Sequence, residues 1–295
     1  MIFRRLLVER VSGLWMVLSL AFILVLPVLI GTGLYLKARP LFADHSLWQL
    51  VGSSHWQPNS GQFGFMPYIA GSLFVTLLSF LLSVPVCLLS AIFLTQFSTR
   101  RLTAFIHPVI DILAGLPSVI YGVWGILVIV PFISGVLAPW FKTESSGYCI
   151  LAGGIVLAVM CIPYMLNMLI EIFKSVPDGL REASLSLGAT LWETVRDVVI
   201  RKSTPGIISA FGLGIAKAFG ETIAVMMVVG NMVQVSFNPL EAGYPLPALI
   251  ANNYGEMLSV PHYDAALMFA ALLLLVIIMV INLVFRYFIH KTRER

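Results

Sequence analysis

Six long apolar runs alternate with shorter polar segments along the chain, at about 11–36, 67–95, 108–138, 149–173, 205–231 and 263–288. Each reaches or exceeds the ~20 residues that a helix needs to cross a hydrocarbon core. Hydrocarbon offers backbone groups no hydrogen-bond partner, so spanning runs fold as helices. The pattern predicts an all-α integral membrane bundle of six transmembrane helices. The first run is longer than the ~7–15-residue core of a cleaved leader and no A-x-A-like site follows it, so it reads as a retained anchor.

Two features interrupt this pattern. In "DILAGLPSVIYGVWG", Gly115 and Pro117 break the interior of the third run, and Ser118 and Tyr121 place hydroxyls beside the break. A tolerated kink and a helix end facing a cavity are both consistent with it. The second feature is the loop at 174–204, which is too long for a plain connector. Ser175 with Asp178, and Thr190 with Glu193, have capping-box spacing. Gly188 has the place of a helix-ending glycine. The spacing predicts a helix at about 177–187, a turn at Gly188-Ala189 and a second helix from about 191, a unit suited to holding another protein. Two further loops, about 37–66 and 232–261, lie on the opposite side. In the second, "LPALIANNYGEML" predicts a short amphipathic helix at the surface, either as a lid or as a docking face.

Composition agrees: 59% of residues are hydrophobic and 11% charged, against about a quarter charged in soluble domains. Of the 18 Lys and Arg, fourteen fall on one side of the alternating loops if the N-terminus is cytoplasmic, and three on the other. The positive-inside rule then puts both termini in the cytoplasm, and the net charge of +4 reports topology, with no nucleic-acid partner implied. Cys87, Cys149 and Cys161 lack disulfide or metal-ligand spacing and read as packing residues. No metal site is expected. No G-x-x-x-x-G-K-[ST] loop and no H-E-x-x-H motif occurs, so the chain is expected neither to bind ATP through such a loop nor to hydrolyse a substrate.

The candidate chemistry lies in "KAFGETIAV", inside the fifth run. If the run is one helix, Lys217 and Glu221 stand at i and i+4 on one face. A central intramembrane charge costs about 2.5–3.5 kcal/mol, which makes the pair a candidate for a substrate pathway, against a neutralised pair that only orients helices. Gly212, Ala216, Gly220 and Ala224 form a small-residue stripe beside it, suited to close helix packing. Lysine supplies charge and donors, and the carboxylate an acceptor. Hydrogen phosphate presents acceptor oxygens and one P–OH donor; sulfate would leave the carboxylate unpaired.

The loop "EASLSLGATLWETVRDVVIRKSTPGI" resembles the cytoplasmic EAA loop of ABC importer permeases. The match is carried by Glu182, Ala183, Ser184, Gly188 and Ala189, with Ser184 in place of the motif's second Ala and no proline at Ile200-Arg201. "AGLPSVIYGVWG", "GETIAVMMVVGN" and "LPALIANNYGE" are similar to the PstC-type permeases of the bacterial phosphate-specific ABC importer, from about residue 67 onward. That family has a basic residue, commonly Arg, where Lys217 stands. The resemblance implies a type I importer permease (MetI-like) fold. It divides the chain into residues 1–66, with the tail, first span and outer loop, and a permease core at 67–295 that carries the coupling loop. It adds Thr222 and Asn231 to the pathway expected of Lys217, Glu221, Ser118 and Tyr121. It implies a non-catalytic subunit of the bacterial cytoplasmic (inner) membrane that binds no cofactor itself. A PstA-like permease, two PstB-like ATPase subunits holding ATP and Mg, and a PstS-like phosphate-binding protein would be the partners, with membrane lipid around the bundle.

Other readings keep a place. One is the same machine with sulfate or molybdate as cargo. Another is an ion-coupled secondary transporter using Glu221 as a proton site, against which the two-helix loop argues. The third is a membrane scaffold that conducts nothing. His107 and Asp111 are assigned no chemistry.

Overall fold

The structure, a computed structural model, describes residues 2–256, 260 and 262–293. Among them, five helices are long and apolar enough to cross a membrane: Ser12–Ala38, Met66–Phe97, Ser118–Trp140, Ile150–Lys174 and Tyr263–Thr292. They are called the first, second, third, fourth and last spans below. The expected all-α class holds; among the described residues five such spans are found where six were expected, because the run at 205–231 is broken and its helix Arg201–Gly220 is not among the five.

The run expected at 108–138 divides at Leu116-Pro117. A separate helix, Arg100–Gly115, ends there, and the third span starts at Ser118. Proline forces the residue before it out of the α region, and Leu116 is extended at φ −69°, ψ 134°. Ser118–Trp140 then contains two π-helical turns, Gly125–Ile129 and Ile133–Leu137.

The run expected at 205–231 is also not one helix. It is helical over Arg201–Gly220, extended at Glu221, and helical again for one turn at Ile223–Met226. The helix begins earlier than expected, since Leu191–Thr194 and the π-helical Val195–Ile200 lead straight into it. After the turn the backbone has work elsewhere. Val228 O accepts from Cys149 N at 3.1 Å, Glu241 O from Ile150 N at 2.9 Å, and Pro239 O from Leu151 N at 2.8 Å. These loop carbonyls satisfy N–H groups at the start of the fourth span, which have no partner within their own helix.

Small residues set the closest packing. The second span lies along the fourth, and a Cβ added at Gly154 would stand 2.8 Å from Leu78 Cδ2. Val75, Leu157, Met165, Leu169 and Phe173 are buried in that seam, and Cys87 and Cys161 pack there as buried free thiols. The small-residue stripe is not one face: Gly212 lies against the Phe285 ring, Gly220 is open, and Ala224 sits beyond the break against Gly122.

A second core closes the other end. The loop at 37–66 forms Leu41–Asp44, a helix Leu47–Gly52 capped by Ser46 and Gln49, and a hairpin pairing Trp56–Gln57 with Gln62–Phe63. Trp56 meets the edges of Phe63, Phe65, Tyr68 and Tyr263 at centroid distances of 5.5, 5.3, 4.9 and 6.0 Å. The expected surface helix exists at Leu246–Asn253 but is not laid on the surface: Leu246, Pro247, Ala248 and Leu249 are buried on the second and last spans. Leu246 N donates to Ser72 Oγ at 2.8 Å. Met257 and Leu258, from the same expectation, lie outside the described residues.

Candidate translocation site

The break at Glu221 changes the geometry expected of the charged pair. Lys217 is in the last turn of Arg201–Gly220, where a cation complements the helix dipole. Glu221 follows as the extended cap residue, at φ −73°, ψ 130°. The two therefore do not share a helix face, and among the described residues no ion pair joins them. The Lys217 ammonium instead stands 4.4 Å from the ring centroid of Tyr164 on the fourth span. A ring face attracts the cation without neutralising it. Lys217 is exposed and Glu221 half-buried on a face that this chain leaves open. Tyr164 was not singled out by sequence reasoning, because a half-buried tyrosine in an apolar run reads as packing.

The two helix breaks meet. Residues 118–124 pack on Ile223–Met226, and a Cβ added at Gly122 would come within 3.4 Å of Ala224 Cα. The N-terminal end of the third span thus stands beside the break at Glu221-Thr222. Ser118, half-buried, is the first residue of that span. Tyr121 is not free for a ligand as expected. It is buried, and its hydroxyl donates to Leu113 O at 2.6 Å, stapling the two sides of the break. Thr222 Oγ1 turns back to Gly220 O at 3.3 Å. Asn231, in left-handed backbone at φ 51°, donates from Nδ2 to Met226 O at 2.8 Å and closes the short turn. Its Oδ1 is buried without a protein partner. Among the described residues the side chains of Lys217, Glu221 and Ser118 make no hydrogen bond or ion pair within the chain, whereas Tyr121, Thr222 and the Asn231 amide nitrogen bond backbone carbonyls at the two breaks.

The coupling loop follows the expected order. A helix runs over Asp178–Ser186, Gly188 is left-handed at φ 88°, and a second helix starts at Leu191. Thr190 and Glu193 form a complete capping box. Hydrogen bonds from the Thr190 backbone and hydroxyl hold the Glu193 carboxyl below its ordinary range. The other expected box does not form: Ser175 ends the fourth span, its hydroxyl donates to Ile172 O at 2.7 Å, and Pro177 precedes the helix. Arg181 ties the loop to the bundle through Phe173 O at 2.8 Å. Ser184 Oγ meets Thr194 Oγ1 at 2.9 Å and holds the two short helices together. Glu182 and Ala183 are exposed, Ala189 is half-buried, and Leu187 is 90% exposed beside exposed Leu185 and Trp192. This is an apolar face beyond the end of a span that none of the described residues covers.

The family described as "Binding-protein-dependent transport system inner membrane component" matches residues 83–294. The chain belongs to this permease family. The permease is 36% identical over 241 residues to the probable ABC transporter permease protein YqgH of Bacillus subtilis, covering 81% of this chain and 76% of that one. It is 33% identical to the phosphate transport system permease protein PstC of Xylella fastidiosa, over 82% of this chain and 79% of that one. With PstC of Mesorhizobium japonicum it shares 31% identity over 93% of this chain and 88% of that one. These relatives make it a PstC-type permease. In fold it resembles the MetNI methionine ABC transporter in inward-facing conformations, with TM-score 0.56 and 21% identity over 78% of this chain and 94% of that one. The permease is accordingly a non-catalytic, multi-pass membrane subunit that works with a separate ATPase and a further permease subunit.

Proposed function

We propose that this permease forms half of the pathway of an ATP-driven importer of inorganic phosphate in a bacterial inner membrane, with both termini cytoplasmic. The observation that carries the reading is the Lys217 ammonium, which rests on the Tyr164 ring at a helix break without an acidic partner among the described residues. Such a cation keeps its charge for an anion. Glu221, released from the helix face by the break, supplies an acceptor for the P–OH of hydrogen phosphate. Ser118 adds a hydroxyl at a helix N-terminus, which favours negative charge. The names of the PstC relatives support phosphate as cargo.

A PstA-like permease would supply the other half of the pathway. Two PstB-like ATPase subunits, holding ATP and Mg, would complete the complex, and this chain would meet the ATPase through the loop around Glu182, Ala183, Ser184, Gly188 and Ala189. A PstS-like phosphate-binding protein would deliver substrate from outside. The test is uptake of labelled phosphate into proteoliposomes that contain the permease with its co-purifying partners, with binding protein outside and ATP inside. ATP-dependent uptake resistant to excess sulfate is expected, together with loss of uptake but not of assembly in Glu221→Gln. ATP-dependent uptake of sulfate or molybdate instead would replace the cargo. Uptake driven by a proton gradient without ATP would overturn the importer reading.

A further inference from the structure

A cleft of about 610 Å³ opens between the start of the helix Arg201–Gly220 and the C-terminal end of the last span, well away from Lys217. Asp197, Arg201, Lys202, Thr204 and Thr292 line it. Most of its polar groups are already committed. Arg196 holds Asp197 by two hydrogen bonds of 3.0 Å. The Thr204 hydroxyl donates to Ile200 O at 2.9 Å and the Thr292 hydroxyl to Phe288 O at 2.7 Å. Arg201 and Lys202 are different. Both are exposed, and among the described residues no acidic side chain stands within ion-pair distance of either. Arg201 does act on Asp197 at longer range, as a lesser cause of its lowered pKa than the Arg196 bond. Among the described residues the walls therefore carry the paired Asp197 and two cations with no ion-pair partner of their own. Lys291 adds a further exposed cation at the same end of the last span.

The surroundings select the kind of anion. Thr292, Phe288 and Val284 follow one another at i−4 steps, so they form one stripe of the last span. Phe288 and Val284 are exposed, and they belong to the apolar surface that this span turns outward. The cleft thus lies where that exposed apolar surface gives way to charge. Basic pockets between helices at such a boundary suit phospholipid head groups. We propose that the cleft binds an anionic phospholipid, with its phosphodiester between Arg201 and Lys202 and an acyl chain along Phe288 and Val284. The lipid would brace the start of this helix, and with it the coupling loop, against the last span. The site does not depend on which anion the permease carries. A phosphate group could also come from free phosphate, and the test separates the two.

The complete complex, stripped of lipid in detergent, is titrated with phosphatidylglycerol or phosphatidylcholine, and bound lipid is counted by native mass spectrometry. Phosphatidylglycerol should bind in preference, and R201Q/K202Q should weaken it by about ten- to thirtyfold, from the attraction of two surface cations. Arg101→Gln, which removes an exposed cation outside the cleft, should change nothing. Excess inorganic phosphate should not displace the lipid. Equal binding in wild type and double variant overturns the proposal, and displacement by inorganic phosphate reassigns the cleft to the free ion. A photoactivatable acyl phosphatidylglycerol, used on the wild-type complex, removes any dependence on the variant folding. Adducts at Val284–Phe288 are expected; adducts only elsewhere sink the site.

Discussion

Replacing Tyr164 tests whether its ring holds the Lys217 ammonium ready for an anion. The ammonium lies 4.4 Å from the ring centroid, inside the ~6 Å range of a cation–π contact. Lys217 is exposed and Tyr164 half-buried, which places the contact between the wet and dry limits. Those limits are about 0.5–1 and about 2 kcal/mol, and they correspond to roughly two- to thirtyfold in affinity. Tyr164→Phe keeps the ring and loses only the hydroxyl, for which no partner is seen among the described residues. Tyr164→Leu keeps apolar bulk and loses the ring face. Uptake of labelled phosphate at varied concentration, in proteoliposomes containing the whole complex, reads the difference. Phe should leave KM within about twofold, and Leu should raise it by about two- to thirtyfold with kcat little changed. Equal KM in wild type and Leu would refute the positioning role. A defect as large in Phe as in Leu would show that the hydroxyl matters and the ring does not.

Four other outcomes follow from the geometry. Gly188→Val places a β-branched residue at φ 88°, in open space, so the cost is backbone strain of about 1–3 kcal/mol and not a clash; membrane insertion should survive while co-purification of the ATPase falls. Tyr121→Phe removes the 2.6 Å bond across the break, but Leu116 N still donates to the Leu113 carbonyl, so about 0.5–1.5 kcal/mol should be lost, read as faster hydrogen exchange at 116–121. The Glu193 carboxyl is lowered in the folded state by its Thr190 bonds, so its stabilisation is full above the ordinary value of 4.5 and is lost as pH falls through the lowered one; amide exchange at 190–195 should show that acid onset, and Thr190→Val should move it to higher pH. Gly154→Leu must displace Leu78 from the seam of the second and fourth spans, and an unchanged melting temperature would argue against that packing.

Much of the coupling loop was legible along the chain because its signals are local. Thr190, Glu193 and Gly188 act within one turn of their own positions, through a capping box and a left-handed glycine. The same local rule misread Ser175. Its spacing to Asp178 was right, but the fourth span continues to Lys174 and takes Ser175 as its own end. Lys217 and Glu221 were found by sequence because charge within an apolar run is conspicuous at any fold. Their relation was not. An i and i+4 spacing places two residues on one face only while the helix continues, and it stops at Gly220.

Hydrophobic runs, loop charges and short-range caps determined the helical class, the coupling turn and the charged candidates, since each depends on a residue's own neighbours. Proline already marked the break in the third run, and only the tertiary structure showed the one in the fifth. Loop carbonyls at Val228, Pro239 and Glu241 bind the start of the fourth span, a long-range demand that a helix continued through 227–231 would not meet at Val228. Tyr164 acquired a role for the same reason, because only the packing of two distant helices brings its ring under Lys217.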